Sequence, residues 1–224
     1  MNSIYEPTLS GYNEFLSEQT SAEGEATLTA VQFGSRYEVT HSKLAMGEVP
    51  DLTADTFRLE GMTALLDAIG RTINDTTHDI ASMPEDERPE TVTFCILTDG
   101  GENSSREFTR EQIFEMIQRQ EEEENWTFLF VGANQDAISS GGNLGIRAGQ
   151  TLSFAASNTG TRSVFSSLSK SVCKTRCCSS PDELRELKSS GVFDDDDRDA
   201  QDINAINLVD NKGKNTRRTT LDVK

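Results

Sequence analysis

Residues 91–103, T-V-T-F-C-I-L-T-D-G-G-E-N, constrain the fold of this chain more than any other stretch. Val92, Phe94, Cys95, Ile96 and Leu97 form a short, nearly continuous apolar run with β-branched and aromatic members. Such a run fits a strand covered on both faces, as in a parallel sheet flanked by helices. It stops at Thr98-Asp99-Gly100-Gly101, a polar turn carrying a carboxylate. Ligands of open α/β sheets gather beyond the carboxyl ends of the strands, so Asp99 stands where a site is expected. Asp-Gly is also ordinary turn chemistry, and the stretch alone leaves both readings open.

The rest of the chain alternates in the same style. Behind Pro7, suited to a first helical turn, Leu9, Tyr12, Phe15 and Leu16 recur at helical spacing and predict a helix over residues 7–19. Residues 26–33 read as a strand, Gly34-Ser35 as a turn and residues 36–41 as a hairpin partner. Residues 43–61 read mostly as connection. A second helix is expected to open at Thr63, with Leu66, Ile69, Ile73 and Ile80 on one face, and Pro84 and Pro89 close that segment.

Beyond the central strand, Thr109-Arg110-Glu111-Gln112 is a capping-box pattern, and Ile113, Phe114 and Ile117 supply the buried side of the helix it opens. The glutamates at 121–124 read as a solvated face. Residues 126–131, W-T-F-L-F-V, predict a second buried strand, followed by a weak glycine-broken helix and a short strand over 151–155. Val164, Leu168 and Val172 mark a helix over 161–173. Strands alternating with helices predict an α/β fold with a doubly wound, mostly parallel sheet.

Composition bounds the function classes. A net charge of −17 argues against a nucleic-acid binder, which needs a basic face for phosphate. No apolar stretch approaches a membrane span, and the first residues lack the basic start and apolar core of a signal peptide. The four cysteines form no disulfide framework: Cys95 sits in the apolar strand, while Cys173, Cys177 and Cys178 crowd together. Reduced thiols and a cytoplasmic location are therefore expected. The mean hydropathy of −0.53 suggests that part of the chain is unpacked. Residues 177–224, with an acidic block at 194–199 and a basic stretch near the end, are expected to be a largely disordered tail with a turn or two of helix at 181–188.

Two polar loop ends combine into a candidate site. Gly61-Met62-Thr63 precedes the second helix, and Thr98-Asp99-Gly100 follows the central strand, so both are expected at one rim of the sheet. A hydroxyl and a carboxylate are hard oxygen ligands suited to Mg2+. Thr63 is equally an ordinary helix N-cap.

In order, G-M-T-A-L-L-D-A-I-G, F-C-I-L-T-D-G-G-E-N and F-L-F-V-G-A-N-Q-D-A resemble the von Willebrand factor A (VWA) domain, in its compact prokaryotic and phage forms. The resemblance runs over residues 2–172, and residues 1–176 are expected to form the VWA-like domain, with a Rossmann-like architecture. It implies a metal-ion-dependent adhesion site at the rim, in which Thr63 and Asp99 are metal ligands. The ion would be Mg2+, with Mn2+ or Ca2+ as substitutes. An exposed carboxylate of a protein partner would fill the open metal position.

The chain departs from that pattern at its start. The family's central first strand and its Asp-x-Ser-x-Ser segment have no counterpart in the sequence, and Met1 aligns just after the point where they end. Thr63 and Asp99 alone are expected to bind the ion weakly or not at all, and two neighbouring strands to lack a ladder. A protein-binding module with an incomplete adhesion site is the leading expectation. The alternatives are a metal-dependent phosphohydrolase and a degenerate scaffold without metal. Against the enzyme, there is no phosphate loop of the G-x-x-x-x-G-K-[ST] kind, and His41 and His78 are isolated.

Overall fold

The computed structural model describes residues 4–59, 61–133 and 137–201. Its axis is strand β4 (Thr127–Ala133), in which every residue is buried. Parallel neighbours flank it: β3 (Thr93–Thr98) pairs from Thr93↔Thr127 to Thr98↔Gly132, and β5 (Thr151–Phe154) from Phe130↔Thr151 to Ala133↔Phe154. Because successive strand residues face opposite ways, β4 feeds two cores. Leu129, Val131 and Ala133 join Phe15 and Leu16 of α1 (Tyr5–Ser21) and Val164, Phe165, Leu168 and Val172 of α5 (Asn158–Arg176). Phe128 and Phe130 join Leu65, Ile69 and Ile73 of α2 (Leu65–Ser82), Ile113 and Ile117 of α3 (Arg110–Glu123) and Ala137 of α4 (Ala137–Gly142). The protein is thus mixed α/β, a parallel three-stranded sheet with helices on both faces. Each fully buried side chain of this size contributes about 1.5–3 kcal/mol. On the first face α1 and α5 lie so close that a Cβ at Gly11 would collide with the Phe165 ring.

The hairpin stands apart from that sheet. β1 (Thr27–Phe33) and β2 (Tyr37–Ala45) pair antiparallel as a separate two-stranded unit. β2 runs past residue 41, where the sequence pattern ends, because a register shift and a left-handed Lys43 (φ 52°) restore the ladder at Leu28↔Leu44 and Thr27↔Ala45. Leu28 packs against the α1/α5 core and Phe33 against the α2/α3 core, so β1 also occupies the middle layer. Among the described residues no backbone hydrogen bond joins β1 to β3.

Four local expectations are corrected. β3 is not covered throughout: β4 is its one partner strand among the described residues, and Cys95 is exposed. Phe114, one step off the Ile113/Ile117 stripe, is 42% exposed. Glu121 is buried rather than solvated, because Gln150 Nε2 donates to its carboxylate at 2.7 Å. The fourth concerns the tail: the helix expected at 181–188 is present as α6 (Pro181–Ser190), which opens on a Ser180 cap with proline in its first turn, but the segment around it is packed rather than disordered. Leu184, Val192 and Phe193 are buried, and the Val192 and Phe193 amides both donate to the Gly149 carbonyl. Lys188 Nζ donates to the Trp126 carbonyl at 3.0 Å, and burial pushes its pKa down. The polar average hides a few well-spaced apolar anchors. Residues 202–224 of that tail lie outside the described residues.

Replacing Phe193 by alanine tests that docking. The substitution is expected to cost about 3 kcal/mol in urea unfolding and to open residues 179–201 to limited proteolysis.

Candidate functional site

The rim is built where α2 begins beside the turn that follows β3. Ala64, not Thr63, is the N-cap of α2, and no side chain of its own caps the helix. The first-turn amides, which have no partner within a helix, are served from the β3 turn instead. Glu102 Oε2 accepts the Leu66 amide at 3.0 Å, and Ser105 Oγ accepts the Asp67 amide at 3.1 Å. A carboxylate at a helix N-terminus also meets the positive end of the helix dipole. Glu102 organises its own turn too, accepting the Ser104 and Ser105 amides at 2.8 and 2.7 Å and the Ser105 hydroxyl at 2.7 Å.

The exchange is reciprocal. Asp67, in the first turn of α2, accepts the backbone amides of Arg106, Glu107 and Phe108 at 2.8, 2.9 and 3.0 Å. Thr63 and Asn103 close the set: the Thr63 amide donates to Asn103 Oδ1 at 2.9 Å, and the Asn103 amide donates to the Thr63 carbonyl at 3.1 Å. One turn further on, Arg71 forms an ion pair with Glu107 and lies 5.5 Å from the centre of the Tyr37 ring. The Ala64 amide donates to the Gly34 carbonyl at 3.0 Å, which ties the same helix start to the hairpin turn.

These bonds bring the two predicted loop ends into contact. Thr98 Oγ1 donates to the Gly100 carbonyl at 2.8 Å and shapes the turn. A Cβ built on Gly100 would stand 3.1 Å from Thr63 Oγ1, so the threonine hydroxyl packs on the Asp99-Gly100 turn. Glycine at 100 is what allows that approach. Asp99 is half-buried in the same turn and already engaged in an interaction within the fold. Residues 134–136, which follow β4, lie outside the described residues.

The donor set does not make a complete cation site. Mg2+ demands about six oxygens in near-octahedral array, and Thr63 and Asp99 supply one hydroxyl and one carboxylate. Among the described residues no group of three or more His, Cys, Asp or Glu side chains is arranged to hold a metal. A groove of about 850 Å3 between α1 and α5 is walled by Glu6, Glu14, Asn158 and Arg162 and includes no rim residue. Its volume therefore gives no reason to move the site.

Sequence reasoning reached Thr63 and Asp99 but not the residues that set the rim's shape. Glu102, Asn103, Ser105 and Asp67 do that work. The only trace of it is that E-N-S-S follows T-D-G-G without a helix of its own to cap. Comparison with protein families, curated proteins and solved structures gives no match for this chain.

Burial alone would raise the pKa of Asp67 and of Glu102, but the amide and hydroxyl donors facing them outweigh it and hold both below the ordinary carboxylate range. A carboxylate with a depressed folded-state pKa adds stability above its unfolded pKa and loses it as pH falls through the folded value. Urea unfolding is therefore expected to show stability level near neutrality and declining below the usual carboxylate range. Glu102→Gln and Asp67→Asn should each be less stable at pH 7 and show a shallower decline. Parallel pH profiles for wild type and variants would contradict this.

Proposed function

We propose that this chain is a VWA-type protein-binding module whose partner-facing surface is the rim formed by Thr63 and the Thr98–Gly100 turn. The observation that carries the reading is the packing of Thr63 Oγ1 against that turn, at the carboxyl end of a parallel strand. The parallel order β3-β4-β5 with helices on both faces, and the β1/β2 hairpin before it in the chain, support it. In this reading Thr63 and Asp99 form half of an adhesion site for Mg2+, with Mn2+ or Ca2+ as substitutes. A carboxylate from a protein partner, drawn to the ion, is the central anchor of the interface.

When bound, the ion supplies a positive charge that holds the partner's carboxylate. The chain's own residues do the rest. Glu102 and Asp67 fix α2 against the β3 turn, so the Thr63 hydroxyl and the Asp99 turn are presented without reorganisation. That rigidity lowers the ordering cost of association. Neither nucleic acid nor membrane is a proposed partner: the net charge is −17, and no described helix is long and apolar enough to cross a membrane.

Half a donor set predicts weak binding. Titrating Mg2+ into the isotopically labelled protein is expected to shift the amides of Thr63 and residues 99–101 only at millimolar concentration or above, and Asp99→Asn should abolish the shifts. Saturation at micromolar Mg2+ would overturn the half-site. No shift at any concentration would remove the metal and leave a scaffold.

A further inference from the structure

β5 closes one side of the parallel sheet. Among the described residues β4 is its one partner strand, so its other edge meets no ladder. Natural sheets blunt such an edge with a charged side chain, a proline, a bulge or a covering segment. The T-L-S-F of β5 carries neither charge nor proline. The cover comes instead from residues 191–201, which follow α6.

That segment is held by different physics at its two ends. At its start, Val192 and Phe193 are buried in the α1/α5 core that also holds Leu152 and Phe154 of β5. The backbones run so close there that a Cβ on Gly149 would stand 2.7 Å from the Gly191 Cα. From Asp194 onward the ties are ionic or polar. Asp194 and Asp197 cap each other at the head of a short helix over residues 195–201: the Asp197 amide donates to Asp194 Oδ1 at 3.0 Å, and the Asp194 amide to Asp197 Oδ2 at 3.2 Å. From α5, Lys174 Nζ lies 2.9 Å from the Asp194 carboxylate and Lys170 Nζ 3.9 Å from that of Asp197. Gln201 Nε2 donates to Ser163 Oγ at 3.0 Å. The Arg198 guanidinium holds the strand itself, donating to the Thr151 carbonyl at 3.2 Å and to the Ala148 carbonyl at 2.9 Å. The Lys174 ammonium, and after it the Asp197 amide, hold the Asp194 carboxyl down to about 2, so that pair is charged throughout the neutral range.

We propose that residues 194–201 are a salt-released strap over the β5 edge, and that the edge they uncover pairs with β5 of a second copy of this chain. Lys170, Lys174 and Asp194 are partly exposed, so dissolved salt screens their ion pairs. The Val192/Phe193 anchor is apolar, and screening does not weaken it. The strap can therefore lift from Asp194 onward while its root stays seated. Two features favour a second copy as the occupant. Identical four-residue edges related by a two-fold axis satisfy each other's backbone groups at once. A net charge of −17 keeps copies apart at low salt, and that repulsion falls with the same screening that lifts the strap. Ionic strength thus removes both barriers together.

The pairing needs neither metal nor the rim, so its test stands apart from the Mg2+ titration. The full chain is followed in potassium chloride from low salt to about 1 M, where the screening length falls to about 3 Å. Hydrogen exchange by mass spectrometry reads residues 151–154 and 194–201, and sedimentation reads the mass. At low salt the expected species is a monomer with residues 194–201 protected. At high salt, exchange in residues 194–201 should quicken by roughly tenfold or more and a dimer should appear. Residues 151–154 should then exchange more slowly as protein concentration rises. Arg198→Ala removes the bonds to the strand and leaves Val192 and Phe193 in place, so it should dimerise at lower salt than wild type, with Arg198→Lys between the two. Exchange in residues 194–201 that is independent of salt would overturn the strap. A monomer at high salt, or a dimer in which exchange of residues 151–154 ignores protein concentration, would overturn the pairing.

Discussion

The exchange of carboxylates and amides between α2 and the turn after β3 is the interaction on which the rest of the rim depends. Glu102 reaches the start of α2, Asp67 reaches back from α2 to residues 106–108, and Thr63 and Asn103 bond each other. Charge-assisted bonds of this type are stronger than neutral ones, and here they replace a cap that the helix lacks locally. Without them the helix would begin with unsatisfied amides, and the turn would have no fixed shape. Thr63 and Asp99 would then face no common space.

The same helix holds the interrupted sheet together. α2 is tied to the hairpin turn at Gly34 and, through Arg71, lies against Tyr37 of β2. Across the layer, α1 is clamped to the segment after the hairpin: Asn13 exchanges two hydrogen bonds with Leu52, and Tyr5 stacks on Phe57. Helix contacts thus take over what a continuous ladder does in an ordinary sheet. Two cores that meet both sheets can keep β1 and β3 in one layer without a backbone bond between them.

Local pattern carried much of the fold. The apolar run of β4, the Val164/Leu168/Val172 stripe of α5 and the Thr109/Gln112 capping box depend on residues close in sequence, and each stands where its periodicity puts it. The readings that differ depend on partners far along the chain. Cys95 lies in a run that looks fully buried, and its exposure goes with β3 having β4 as its one partner strand among the described residues. Glu121 looks solvated until Gln150 is brought under it from 29 residues away. Val192 and Phe193 sit in a segment whose average composition is that of a solvated tail, and two apolar residues beside a glycine turn give no periodicity to detect. At the rim, sequence could put Thr63 and Asp99 at element ends. The carboxylates that join those ends are surface-like residues with no local signature.

Trp126 is the only tryptophan in the chain, buried beside Phe128, with its carbonyl held by the Lys188 ammonium from α6. Release of α6 would leave that carbonyl without its donor and let water approach the indole. The protein therefore carries its own optical gauge: its ultraviolet emission reports whether α6 is seated, with no added dye.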